Sequence, residues 1–119
     1  MPNIDNLVAD YVAAWNEHDP DRRRALVERT FSANAIYLDP LMDGEGIEGI
    51  DAMLGAVQAQ FPEHRLELVG ATDSHHDRLR FGWRFSAGDG AAAIDGLDCV
   101  VLSSSGKMAN VTGFLANPL

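Results

Sequence analysis

Basic residues are scarce in this chain: nine Lys and Arg stand against eighteen Asp and Glu, a formal net charge of −9 over 119 residues. Nucleic acids and anionic membrane surfaces both need positive charge from a partner, so the imbalance argues against either. Cysteine occurs once, at Cys99, which excludes an internal disulfide and fits a reducing compartment. No apolar run approaches the roughly 20 residues that span a bilayer. No basic-then-apolar leader opens the sequence, and the expected location is cytoplasmic. Linkers, internal repeats and low-complexity stretches are also missing, so residues 1–119 are read as one domain with one core. The chain is 46% hydrophobic, an ordinary share that argues against wholesale disorder.

What is present is clear periodicity. Ile4, Leu7, Val8, Tyr11 and Trp15 fall at helical spacing and predict a first helix over 3–17. Asp19-Pro20 reads as an N-cap with proline at the first position of a second helix. Ser32-Ala33-Asn34 reads as a turn, and 35–39 as a short strand with Tyr37 and Asp39 on one face. A glycine-rich loop over 43–49 leads to a third helix, whose apolar face is Ile50, Met53, Leu54, Val57 and Phe61 and whose end is Pro62. From Arg65 the period becomes two. Strands are predicted over 65–73, 78–86, 91–103 and 107–116, with turns at 74–77, 88–90 and 104–106. In the second of these, Leu79, Phe81, Trp83 and Phe85 alternate with Arg78, Arg80, Gly82 and Arg84, the pattern of a half-buried antiparallel strand. Helices early and strands late imply an α+β domain: a curved antiparallel sheet packed on three N-terminal helices.

Three residues stand out against this frame. Asp98 interrupts an otherwise apolar strand, Leu97-Asp98-Cys99-Val100-Val101-Leu102, where a carboxylate is costly unless paired, protonated or useful. Asp39 ends the first strand, and Tyr11 lies on the apolar face of the first helix. Each has a plainer reading. Asp39-Pro40 is a common turn pair, Asp98 could bond an Arg or a backbone amide, and Tyr11 could be core with its hydroxyl at the surface.

Three segments resemble the nuclear transport factor 2-like superfamily, in its SnoaL-like and ketosteroid-isomerase-like branch. Residues 11–19, Tyr11 to Asp19, look like its first helix and following turn; Tyr37-Leu38-Asp39-Pro40 looks like the strand end that holds the isomerase base; Gly96-Leu97-Asp98 through Gly106-Lys107, followed by Val111-Thr112-Gly113-Phe114, looks like its closing hairpin. The resemblance implies a cone in which the sheet curls around one pocket closed by helices, and a homodimer. Ketosteroid isomerase sets an ionised Asp base beside an oxyanion hole made of a Tyr and a protonated Asp. Carried over, Asp39 is the base, and Tyr11 and Asp98 are the oxyanion donors. The chain departs from the isomerases in a longer stretch between Asp19 and Asp39. It also has Gly55, Ala56 and Val57 where they have a tyrosine supporting the oxyanion tyrosine.

The chemistry so implied is proton transfer next to a carbonyl: a carboxylate takes the proton, and two donors hold the enolate oxygen. The expected enzyme is an isomerase or polyketide-cyclase-like protein that uses no cofactor and no metal. It acts on a small apolar molecule, with Trp15, Tyr37, Met53, Phe81 and Trp83 lining the pocket, and Asp98 protonated near neutral pH. Other readings stay open: a non-catalytic ligand carrier, an epoxide-hydrolase-like or dehydratase-like member, or a dimerising domain that uses Phe114 or Leu115 on the outer sheet face. Arg80 and Arg84 alternate with Trp83 and should point outward, which counts against the hydrolase.

Other motifs read blandly. Gly44-Glu45-Gly46-Ile47-Glu48-Gly49 matches G-x-G-x-x-G, but Glu45 and Glu48 would repel a pyrophosphate and no parallel βαβ unit follows. His75-His76-Asp77 offers no third ligand at metal spacing. Arg22-Arg23-Arg24 reads as a solvated helix face, and Cys99 as a small buried hydrophobe.

Overall fold

A computed structural model describes residues 3–88 and 93–116. Two helices open the chain and a third follows the first two strands: α1 (Ile4–Asn16), α2 (Pro20–Thr30) and α3 (Gly46–Gln60). Their starts follow from local chemistry. The Asn3 side chain accepts from the Asn6 amide to cap α1, and Asp19 accepts from the Arg22 amide to cap α2, with Pro20 at its first turn. Gly46, at φ 71°, makes the left-handed turn that releases α3 from the preceding strand.

The strands are β1 (Phe31–Leu38), β2 (Asp43–Glu45), β3 (His64–His75), β4 (Arg78–Ala87), β5 (Ile94–Leu102) and β6 (Met108–Leu115). They form one sheet in the order β2-β1-β6-β5-β4-β3. The four late strands make the expected antiparallel meander, but the sheet is mixed, because β1 runs parallel to β6. Strand periodicity reports faces and not neighbours, so this pairing had no signal in the pattern. The turn expected at 32–34 is also extended chain: β1 starts at Phe31, and its pairing with β6 shifts register between Phe31 and Ile36. Turn-forming Ser32 and Asn34 thus occupy a bulge. Further register shifts lie in β3–β4 between Val69 and Asp73 and in β5–β6 between Val101 and Leu102. Bulges bend a strand and add twist, and here they accompany a curved, open sheet. Residues 89–92, which hold part of an expected turn and the expected start of β5, lie outside the described residues.

The helices cover the inner face. Tyr11, Ala14, Val27, Ile50, Leu54, Phe81, Val100, Met108 and Val111 are among the buried residues there. Arg23 is not solvated as expected: it bonds Asp51 at 2.8 Å and Gln58 at 3.0 Å, tying α2 to α3. Gln58 in turn donates to the Trp15 carbonyl at 2.9 Å and so caps the end of α1. Cys99 is half-buried on the outer face, opposite Arg80 and Thr112. Phe114 is exposed on that face, but Leu115 turns inward to the cavity described below.

Asn16 fastens the free edge of the sheet. Its amide donates to the Leu66 carbonyl at 2.9 Å and accepts from the Leu66 N–H at 2.8 Å, as a paired strand would. Asn16→Ala leaves both backbone groups partly buried without partners. It should therefore cost about 2 kcal/mol of unfolding free energy, measured by urea denaturation.

Candidate active site

The inner face of the sheet bends around a cavity of about 80 Å³. Tyr11 and Trp15 reach it from α1, Asp39 from the end of β1, Trp83 from β4 and Asp98 from β5. All three residues singled out by sequence therefore meet at one place, 28 and 59 positions apart along the chain. Of the expected lining residues, Trp15 and Trp83 contribute. Tyr37, Met53 and Phe81 are buried but stand behind the wall. Sequence reading missed Val57 and Phe61 of α3, Phe85 of β4, and Leu41 and Met42 of the β1–β2 turn. Val57, Phe61 and Phe85 were visible as apolar periodic positions; nothing in the pattern could tell core from cavity wall. Leu41 and Met42 sit in a turn, where no periodicity exists.

Asp98 is 2% exposed, and both its oxygens are bonded. The Tyr11 hydroxyl donates to Oδ2 at 2.6 Å, and the Trp83 indole Nε1–H donates to Oδ1 at 3.0 Å. Burial pushes its carboxyl up to about 6, with the charge of Asp39 adding to the rise and the Tyr11 and Trp83 hydrogen bonds opposing it. Burial thus works toward the expected protonated carboxyl, while the two donors favour the charged form. Burial first, and then the Asp98 charge, raise the Tyr11 phenol well above its ordinary value. The Tyr37 phenol is raised by burial and by Asp98 and Asp39. Neither phenol ionises near neutral pH, so both serve as hydrogen-bond donors.

Asp39 is half-buried and held by three donors. Tyr37 donates to Oδ2 at 2.6 Å, while the Leu41 and Met42 amides donate to Oδ1 at 2.8 and 3.0 Å. The plain turn reading is thus part of the truth: Asp39 organises the β1–β2 turn. The same bonds place Leu41 and Met42 on the cavity. A carboxylate has about four acceptor sites, so these three bonds do not exhaust it. Tyr37 also lies close enough to Tyr11 for each to bias the other's ionisation. It provides from β1 the phenol neighbour that α3, with Gly55, Ala56 and Val57, lacks.

Two glycines make this packing possible. Gly113 of β6 pairs with Asp98, and a Cβ there would stand 2.9 Å from Asp98 Oδ1 and 3.0 Å from Asp39 Cβ. Gly96 of β5 lies opposite Trp83, and a Cβ there would stand 2.6 Å from the indole Cε2. Side chains at either position would push apart the groups that now converge.

Residues 8–111 match the SnoaL-like domain. The chain belongs to the SnoaL-like family. A crystal structure of an Agrobacterium tumefaciens protein, provisionally named an isomerase of the SnoaL-like family, shares 44% identity and a TM-score of 0.89, over 94% of this chain and 96% of that one. Two more distant structures share the fold. One is a protein from Sinorhizobium meliloti, provisionally named a polyketide cyclase, at 16% identity and a TM-score of 0.72 over 95% and 94% of the two chains. The other is an NTF2-like protein of unknown function from Exiguobacterium, at 16% and 0.74 over 94% and 99%. No curated protein matches the chain. The SnoaL-like assignment agrees with the resemblance read from residues 11–19, 37–40 and 96–114, and the structural neighbours share the NTF2-like fold.

The remaining polar groups of this SnoaL-like domain lie elsewhere. His75 and His76 are exposed at the β3–β4 turn and do not line the cavity. Arg80 bonds Asp73 and Arg84 bonds Asp95 on the outer face, as alternation required. Among the described residues, no cluster of His, Cys, Asp or Glu is arranged to hold a metal ion. No described helix is long and apolar enough to cross a membrane.

The raised Asp98 carboxyl carries a stability consequence. Its folded value, about 6, lies above the ordinary 3.8, so its favourable contribution is complete below 3.8 and is lost as pH rises through about 6. Between pH 5 and 8 the loss should be about 1–2 kcal/mol in urea denaturation. Asp98→Asn keeps a carbonyl for Trp83 and an N–H for Tyr11, and should flatten that slope.

Proposed function

We propose that this protein is a cofactor-independent isomerase or cyclase that moves a proton next to the carbonyl of a small apolar substrate. One observation carries the reading: Tyr11, Asp39 and Asp98 all line one apolar cavity. Asp39 takes a proton from the carbon beside the carbonyl, and the electron pair moves onto the carbonyl oxygen as an enolate. Tyr11 donates to that oxygen where charge develops, and protonated Asp98 donates in turn to the Tyr11 oxygen. Asp39 then returns the proton to another carbon of the conjugated system, so nothing is gained or lost overall. The three bonds that orient Asp39 support this role, since a base must be held within reach of its proton.

Cavity size narrows the substrate. About 80 Å³ is well below the roughly 300–1,000 Å³ of pockets that take drug-sized ligands. A single ring with one carbonyl suits it better than a steroid. A second reading, a carrier with the same cavity, is favoured by the three bonds that tie Asp39 to Tyr37 and the β1–β2 turn.

Conversion of cyclohex-3-enone to its conjugated isomer, followed by ultraviolet absorbance, separates the two. Wild type should accelerate the reaction. Asp39→Asn should lose about 10²–10⁴-fold, and Tyr11→Phe about 10²–10³-fold in kcat. The kcat/KM should fall as pH rises through about 6, as Asp98 ionises and stops donating. If saturable binding persists in Asp39→Asn and wild type shows no turnover, the carrier reading holds and the isomerase does not.

A further inference from the structure

Trp83 was expected to line the cavity, and it does, and its polar edge is taken up by Asp98. The indole Nε1–H lies 3.0 Å from Asp98 Oδ1, and the Tyr11 oxygen lies 2.6 Å from Oδ2. An indole nitrogen can only donate; a hydroxyl can donate or accept. The two oxygens of Asp98 are therefore not equivalent. We propose that Trp83 is a positioning residue: by reserving Oδ1 as an acceptor it leaves Oδ2 as the seat of a proton, so the Asp98–Tyr11 hydrogen bond reverses direction when Asp98 is protonated.

The two states follow from counting donors. With Asp98 ionised, Tyr11 gives its hydrogen to Oδ2 and has none left for the cavity. With Asp98 neutral, Oδ2–H donates to the Tyr11 oxygen, and the Tyr11 hydrogen turns outward. One proton added at Asp98 thus becomes one donor presented by Tyr11. Without the indole, a neutral Asp98 could carry its proton on either oxygen, and the pair would lose its polarity.

The seat of the indole is built for this. Trp83 and Gly96 are cross-strand partners, and a Cβ at Gly96 would overlap the ring and stand 2.7 Å from the Phe114 carbonyl oxygen. Glycine weakens a strand interior, and here it lets the ring lie across β5 with Nε1 at Asp98, two residues along. The groups that face Asp98 are few. Tyr11 comes from α1 and Trp83 and Phe81 from β4; Gly113 of β6 stands between it and Asp39 and Tyr37 of β1. Asp39 is the one other carboxyl among these. It is held by three donors of its own, so Asp98 is the member of the set whose proton the indole would sense.

What the reversal does for a substrate rests on the proton-transfer reading, but the reversal itself does not, and nuclear magnetic resonance of the unliganded protein tests it. The Trp83 indole N–H resonance, the Asp98 carboxyl carbon and the Tyr11 Cζ should titrate together in wild type, with a midpoint near 6. In Asp98→Asn the indole and Tyr11 signals should stay at their acid-limit positions across the range, because the amide copies the neutral acid. In Trp83→Phe the Asp98 midpoint should rise, since a donor to the charged form is gone, and the acid-limit Tyr11 signal should move. Gly96→Ala, which must displace the ring, should do the same, and it replaces Trp83→Phe if that variant does not fold. An indole resonance unmoved between pH 4.5 and 8 overturns the proposal. So does a Trp83→Phe or Gly96→Ala variant with wild-type Asp98 and Tyr11 titrations. Loss of isomerase activity with these titrations intact would instead count against the proton-transfer reading alone.

Discussion

Removing a carboxyl from water costs several kcal/mol unless its oxygens find partners, and Asp98 sits in the middle of a sheet with the helices packed over it. Its two partners come from different directions, Tyr11 from α1 and Trp83 from the neighbouring strand. Satisfying Asp98 therefore fixes how α1 lies on the sheet and how the Trp83 ring lies across β5. Gly96 and Gly113 follow from the same need, since any side chain there would collide with the indole or with the two acids. Burial raises the carboxyl while the two donors pull it back, so the opposing effects partly offset each other.

The second acid is satisfied differently. Asp39 draws two of its bonds from the backbone of the turn it begins, and the third from Tyr37 two residues earlier on the same strand. Its environment is local and would form with the β1–β2 hairpin. Asp98 depends on residues 87 and 15 positions away. The two carboxyls thus differ in what holds them: one belongs to a turn, the other to the tertiary packing. Pairs of acids placed in unlike environments are how one small fold assigns unlike roles to the same functional group.

Much of this was legible in the sequence where periodicity carried it. Tyr11 belonged to a helical stripe, Trp83 to an alternating strand, and the polarity of Asp98 against its apolar neighbours marked it as a group needing an explanation. The resemblance around Tyr37-Leu38-Asp39-Pro40 then joined positions that no pattern could join. What escaped was cross-strand information. The parallel pairing of β1 with β6, the bulge hidden under Ser32-Ala33-Asn34, and the contact of Trp83 with Asp98 all depend on register between strands, which a face pattern does not encode. The strand glycines were the available clue: Gly96 and Gly113 sit in strand interiors where glycine has a cost, and each marks a place where another group comes close.

The parallel pairing has a consequence for how the protein comes to exist. Strands β3 to β6 are neighbours in sequence, and each joins the next through a short connection. β1 pairs with β6, Tyr37 with Val111, across most of the chain. Closing a loop of that length costs entropy before any contact repays it, and such non-local pairings slow folding. The meander can therefore condense first, carrying Asp98 and Trp83 together, while Asp39 arrives only when the ends of the chain are joined. A partly folded molecule would hold half of the cavity with the other acid missing, so any chemistry the cavity performs would switch on with the last step of assembly.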